Sequence, residues 1–199
     1  MSMSRQRGAG LIEALIAILI LSIGILGMVG MQTASLKFEQ TGWVRSALSS
    51  SISSFADRIR ANASATETAY SFSRTYAAER ASIEGTPTYL NPAKDCNTAT
   101  CTPAELAAYD LAVWRLDLNS QLPGAVGMVT PSGTKGVNLR FLVTVAWYSK
   151  DNLDGTTLRS PDICTATTTG IASRNCCPGA LGTSATLAGV QCANLEMIP

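Results

Sequence analysis

Six cysteines are the residues of this 199-residue chain best suited to covalent chemistry. All of them lie at or beyond residue 96, and an even number confined to one part of the chain predicts disulfides formed in an oxidising compartment. We favour one pair because its closure would form a short loop, whereas the connectivity of the other four stays open. The six are Cys96, Cys101, Cys164, Cys176, Cys177 and Cys192, and the favoured pair is Cys96 with Cys101.

The chain contains no histidine, which removes Ser–His and Cys–His nucleophile pairs and the commonest metal ligand. A zinc site is disfavoured because no CxxC pair exists, and Cys96 and Cys101 are separated by four residues. The adjacent Cys176 and Cys177 suggest redox chemistry, but no redox CxxC motif accompanies them. We therefore expect no catalytic residue, no metal and no cofactor. A membrane-anchored periplasmic enzyme is the disfavoured alternative.

Glu13 is an acidic residue at the edge of a long apolar run. No charge occurs from residue 14 to residue 36, and about 20 apolar residues suffice to span a bilayer as a helix. Arg5 and Arg7 precede the run, which predicts that the leader stays cytoplasmic and the remainder is exported. A cleaved secretory signal is disfavoured because the run is too long and no small-x-small site closes it. A carboxylate at this depth is costly and calls for a partner.

Residues 8–13, Gly-Ala-Gly-Leu-Ile-Glu, resemble the class III signal of type IV prepilins. The resemblance implies that a prepilin peptidase cleaves between Gly8 and Ala9 and that the new Ala9 amine is methylated. It also implies that Glu13, fifth in the mature chain, neutralises the terminal amine of a neighbouring subunit inside the filament. Paired opposite charges are tolerated in a low-dielectric interior where single charges are costly. Ala9 departs from the phenylalanine that is more usual at this position.

The apolar pattern continues past the membrane length as one amphipathic stripe. It predicts a helix from Ala9 to Ala61, about 80 Å long, with Asn62 as its stop. Three glycines inside this helix favour close helix packing in the membrane, with local melting in the filament as the alternative. The stripe consists of Leu36, Val44, Leu48, Ile52, Phe55 and Ile59, and the glycines are Gly24, Gly27 and Gly30.

We expect three segments: a leader at 1–8, a membrane and filament-core helix at 9–36, and an exported domain at 37–199 that includes the second half of the helix. Residues 62–101 are predicted to form an irregular loop with short helical turns. A capping box from Thr102 to Glu105 predicts a second helix, which residues 122–124 end. Its predicted apolar face comprises Leu106, Tyr109, Val113 and Leu116.

Strands are predicted at 125–129, 138–148 and 190–198, with Pro131-Ser132-Gly133 as a turn. Alternation places Leu139, Phe141, Val143, Val145 and Trp147 on one face of the central strand. Residues 151–155 are predicted to form a turn rather than a calcium loop, because the EF-hand spacing is absent. Residues 165–189 are predicted to be a loop. The fold class is therefore α+β, with a long helix on a small antiparallel sheet, which the resemblance implies is the type IV pilin fold.

The middle of the chain resembles the PilV group of minor pilins, in residues 56–62, 102–116, 122–124 and 143–147. The resemblance implies a subunit in the bacterial inner membrane, with its domain in the periplasm, that later enters the pilus. Implied partners are the prepilin peptidase, other minor pilins, the major pilin, a tip adhesin, the assembly platform and membrane lipid. A minor pseudopilin of type II secretion is the alternative.

The formal net charge of +1 becomes −1 once Arg5 and Arg7 are removed with the leader, because 13 basic side chains then face 14 acidic ones. Proteins that bind nucleic acid usually carry a basic patch. The near-neutral sequence without Lys/Arg clusters therefore argues against nucleic acid as a partner and against a DNA-uptake pilin.

Overall fold

A computed structural model of the chain describes residues 9–86, 88–149 and 152–199, with the backbone alone of Ala9 and Asp154. Two compact units divide it, one ending at Ser46 and the other beginning at Ala47. The helices are α1 (Ala9–Ala61), α2 (Tyr76–Gly85), α3 (Pro103–Gln121) and α4 (Ile171–Asn175), with a 3-10 turn at Ala185–Leu187. The strands are β1 (Val126–Ser132), β2 (Arg140–Tyr148), β3 (Leu153–Asp154), β4 (Thr157–Leu158) and β5 (Val190–Met197).

Helix α1 has the predicted bounds, and the predicted stop residue Asn62 directly follows its last residue. The Asn62 amide donates to the carbonyl of Pro103 at 2.8 Å and to the hydroxyl of Tyr70 at 3.1 Å. Arg58 and Arg60 occupy the last turn, where cations interact favourably with the helix dipole. The stop thus also ties the end of α1 to the start of α3.

The first core lies on one face of the three-stranded sheet, between β2 and the part of α1 beyond Ser46. The alternation predicted for β2 is confirmed for Phe141, Val143, Val145 and Trp147, which are buried. Leu139 precedes the strand and is only partly buried. Phe55 of α1 is fully buried and stacks on Trp114 of α3 with ring centroids 4.3 Å apart. This arrangement is the predicted α+β one: a long helix on a small antiparallel sheet, as in pilins.

The capping box predicted at the start of α3 is present. The Thr102 hydroxyl accepts from the Glu105 backbone N–H at 3.3 Å, and the Glu105 carboxylate accepts from the Thr102 N–H at 2.8 Å. That backbone bond, with further help from Lys94 and the Thr102 hydroxyl, lowers the pKa of Glu105 to about 2. The carboxylate therefore stays ionised, and the helix start stays capped, down to strongly acidic pH.

The predicted apolar face of α3 was wrong. Leu116 is 44% exposed, whereas the buried positions include Asp110. Apolar residues occur all around this helix, so their spacing does not single out one face. Asp110 can be buried because it accepts from Arg58 at 2.9 Å and from the Tyr70 hydroxyl at 2.8 Å. The buried set is Ala107, Asp110, Leu111, Ala112, Trp114 and Leu118.

The loop predicted for residues 62–101 contains a ten-residue helix, α2, that the sequence reasoning missed. Thr75 is its N-cap and accepts from the backbone N–H of Ala78 at 3.3 Å. The segment before it forms a bridge with the sheet, where Phe72 pairs with Val129. Alanine, threonine and serine are frequent in residues 62–101 and carry little periodic signal, so the helix depends on its tertiary contacts.

The sheet order is β1-β2-β5, antiparallel throughout. The strand predicted at the end of the chain is confirmed as an edge strand, β5. The turn predicted at 131–133 begins later than expected, because Pro131 and Ser132 belong to β1 and pair with Phe141 and Arg140. Residues 153–158 form a small hairpin around Gly155. Asp151 of the predicted 151–155 turn lies outside the described residues.

The other face of the sheet carries a second core, which the cysteine-rich segment covers. Residues predicted as loop supply Leu181 and Leu187, which pack on Val126, Met128 and Ala146 of the sheet. Two disulfides, Cys164–Cys176 and Cys177–Cys192, hold the segment to itself and to β5. The adjacent Cys176 and Cys177 thus join the same short stretch to Cys164 within the segment and to Cys192 of β5.

We predict that the disulfides differ in their contribution to stability. Replacing Cys177 and Cys192 by alanine opens a loop of 15 residues and should cost about 3 kcal/mol in chain entropy, before any loss of core packing. Replacing Cys96 and Cys101 opens one of 5 residues and should cost about 2 kcal/mol. Thermal unfolding of the full chain in detergent measures both losses of stability. Equal losses, or a larger loss for the Cys96–Cys101 pair, would contradict the role of the Cys177–Cys192 disulfide in holding the second core.

Candidate functional site

The part of α1 before residue 44 is exposed along its whole described length. Leu11, Leu26 and Met31 are each at least 70% exposed. By length and composition the helix can cross a membrane. Apolar surface of this extent is found in soluble proteins only where something covers it. This segment therefore needs lipid or other protein helices around it.

Glu13 lies in the second turn of α1 as an exposed carboxylate among exposed isoleucines. No salt bridge to Glu13 occurs within the described residues. Its oxygens are thus available to a donor on another molecule. Ala9 is the first residue of the helix, and the predicted cleavage residue Gly8 and the rest of the leader lie outside the described residues.

The chain carries a prokaryotic N-terminal methylation motif over residues 3–29. This type IV prepilin-like signal supports a type IV pilin or pseudopilin family and a role in pilus or secretion-system assembly. Proteins with this motif are structural rather than enzymatic. The motif contains Gly8, Ala9 and Glu13. No curated protein and no solved structure matches the chain.

The six cysteines are all paired. The structure joins Cys96 to Cys101, the pair that the sequence favoured, and also contains the two pairs of the second core. No cysteine is left free. A thiolate for zinc binding or for nucleophilic chemistry would thus require a bond to be reduced first.

A buried ionic cluster was missed by the sequence reasoning. Glu79 of α2 is 1% exposed and accepts from Arg115 Nε of α3 at 3.0 Å and from the Tyr89 hydroxyl at 2.9 Å. The Arg115 guanidinium also lies over the Phe72 ring, 4.0 Å from its centroid. The cluster holds α2, the following loop and the Phe72 strand segment against α3. The Thr75 cap was the one sequence signal that could have indicated α2.

A cavity of about 240 Å³ lies at the C-terminal end of α1, with Tyr70 and Phe141 among its lining residues. Arg60 and Lys135 also line it. Each has an acidic neighbour: Arg60 is paired with Asp57 at 3.3 Å, and Glu67 accepts from the Lys135 backbone N–H at 3.5 Å. The Lys135 ammonium itself donates to the Ala65 carbonyl at 2.7 Å, so both cations of the lining already have partners within the chain.

We predict that Glu79→Gln lowers the free energy of unfolding by about 3 kcal/mol. The amide keeps the shape of the side chain but leaves Arg115, which is 10% exposed, without its counter-ion. The matched control is Glu84→Gln, which removes an exposed partner of Arg80 in the same helix and should cost under about 1 kcal/mol. Chemical denaturation of the full chain in detergent separates the two. Equal losses would show that the Glu79 cluster does not anchor α2.

Proposed function

We propose that this chain is a PilV-type minor pilin that takes part in type IV pilus assembly. The observation that carries the proposal is the N-terminal methylation motif, with Glu13 at the edge of an apolar helix that continues into a disulfide-bonded α+β domain. In this proposal residues 1–8 are the leader, 9–36 the membrane and filament-core helix, and 37–199 the periplasmic domain.

The compartment follows from the same features. Arg5 and Arg7 before the apolar run favour a cytoplasmic leader and an inner-membrane anchor. Three disulfides suit an exported domain in the oxidising periplasm. The proposed partners are the prepilin peptidase, other minor pilins, the major pilin, a tip adhesin, the assembly platform and membrane lipid.

The PilV-like segments have a shared structural task, which supports the finer proposal. Arg58 of residues 56–62 pairs with Asp110 of α3, Trp114 of the same helix stacks on Phe55, and residues 143–147 form the buried centre of β2. A minor pseudopilin of type II secretion is the alternative, since the motif is common to both classes. Deleting the gene separates them: loss of surface pili supports the pilin, and loss of protein secretion with normal pili supports the pseudopilin.

Glu13 is proposed to direct the subunit into the filament. In a bilayer the carboxylate lies near the end of the apolar run, where nearby water limits the cost of its charge. In a filament the apolar helices surround it, and the charge then needs a partner. The methylated amine of Ala9 on an adjacent subunit supplies that charge, and the two groups are tolerable together.

Processing gives the first test. We predict cleavage between Gly8 and Ala9 and a single methyl group on the Ala9 amine. Intact-mass analysis of the protein purified from its own host should show the loss of residues 1–8 and the added methyl group. A mature N-terminus beyond the apolar run would contradict the prepilin assignment.

Glu13→Ala gives the second test. We predict that export and folding persist while the amount in sheared pili falls, because an unpaired buried amine costs roughly 3–5 kcal/mol. The measurement is the ratio of this protein in the pilus fraction to that in the membrane fraction. The matched control is Glu39→Ala, a change of the same type on the same helix, which should keep the wild-type ratio. A wild-type ratio for Glu13→Ala, equal to that of the control, would show that Glu13 does not act in assembly.

A further inference from the structure

The two edges of the three-stranded sheet, β1 and β5, differ in whether other backbone covers them. The β1 edge is covered, because Phe72 donates to the Val129 carbonyl at 2.9 Å and accepts from the Val129 N–H at 2.8 Å. Pro131 lies two residues further along the same side and has no N–H to offer. Native sheets protect their edges with such straps and prolines.

The direction of each backbone group in β5 follows from that bridge. The backbone N–H and C=O of Val129 both bond to Phe72 and therefore point away from β2. Val143 lies opposite Val129, so in an antiparallel pair its own N–H and C=O point away from β1 and toward β5. Its partner Leu195 completes that ladder. The N–H and C=O groups of Asn194 and Glu196 therefore point away from β2. Within the described residues, no hydrogen bond reaches these four groups.

Only the last part of this edge is open. Val190 and Cys192 are buried beneath the cysteine-rich segment, and the Asn194 side chain donates to the carbonyls of Ser173 and Cys176 at 2.8 Å. Beyond Asn194 the surface changes, because Leu195 is 46% and Ile198 is 64% exposed. The open edge is therefore the stretch 194–198. Its unpaired backbone groups are those of Asn194 and Glu196, because Met197 is buried and the Ile198 carbonyl accepts from Arg60 Nη2 at 3.4 Å. The stretch contains neither proline nor lysine, and no strand covers it in the part of the chain described.

We propose that the open edge is a docking site for an extended segment of a partner protein, which adds to the sheet as a fourth strand beside β5. Alternating N–H and C=O groups along an edge match an extended backbone. Exposed Leu195 calls for an apolar side chain on the helix-facing side. On the opposite side, the Glu196 carboxylate accepts from Arg140 at 2.9 Å and retains free lone pairs. The matching side chain there is a cation or a hydrogen-bond donor.

The proposal goes beyond the pilin assignment, because it rests on β5 and not on the N-terminal signal. Its test uses the natural precedent of Pro131. Glu196→Pro removes an outward N–H and places a ring in the path of an added strand, while the ladder to β2 loses nothing. Glu196→Thr is the matched control, since it removes the same carboxylate but keeps the N–H. Both variants should keep the three disulfides and the protease resistance of the wild type.

The readout is photo-cross-linking in the host, with p-benzoylphenylalanine in place of Ile198 in the full chain. We expect an adduct between this chain and a different protein, at similar yield with Glu196 and with Thr at that position. With Glu196→Pro the yield should fall about tenfold, the change expected for losing one or two hydrogen bonds of the added strand.

Three results would overturn the proposal: no adduct, an adduct whose yield is unchanged by Glu196→Pro, or an adduct with the mass of two copies of this chain. The yield is scored on total cell protein, so it does not depend on entry into pili. Failure of the docking site is thus distinguishable from failure of the pilin assignment, which Glu13→Ala and the mature N-terminus test.

Discussion

The packing of Phe55 on Trp114 is the contact on which the unit from Ala47 to Pro199 depends. Trp114 lies between α1 and the sheet so closely that a Cβ on Gly127 would come within 2.5 Å of its ring. Glycine is therefore required in β1 at that position, because only glycine lets the strand approach the indole. The polar groups next to this stack are satisfied in turn: Asp110 receives both Arg58 and Tyr70. Burial and loss of solvent raise the pKa of Tyr70, so the phenol remains a donor throughout the physiological range.

From that contact the domain extends in two directions, and each uses a different kind of stabilisation. Toward α2 the packing is completed by charge, because Glu79 is the one buried residue of that helix and pairs with Arg115 of α3. Toward the cysteine-rich segment it is completed by covalent bonds, since a stretch of threonine, alanine and glycine buries too little apolar surface to order itself. Disulfides compensate because they reduce the entropy of the unfolded chain.

What remains uncovered after folding is consistent with assembly as the task of this protein. Residues 10–36 of α1 expose an apolar surface with one carboxylate, Glu13, and β5 exposes an unpaired backbone edge. Both features leave groups that are more stable against another molecule than against water. The first calls for lipid or neighbouring helices. The second matches an extended chain, so the two surfaces address different partners.

Features set by local pattern could be predicted from the sequence. The bounds of α1, the Thr102–Glu105 capping box, the alternation in β2 and the edge strand β5 each depend on neighbours a few residues away in the chain. The short Cys96–Cys101 loop belongs with them, as does the offset of Glu13 from Gly8. The buried face of α3, the existence of α2 and the pairing of Cys164, Cys176, Cys177 and Cys192 were decided by tertiary structure. In each case the deciding partner is remote in sequence: Arg58 permits the burial of Asp110, Arg115 holds Glu79, and β5 supplies Cys192. Periodicity cannot report such partners, because it reports only which residues share a face and not what the fold brings against that face.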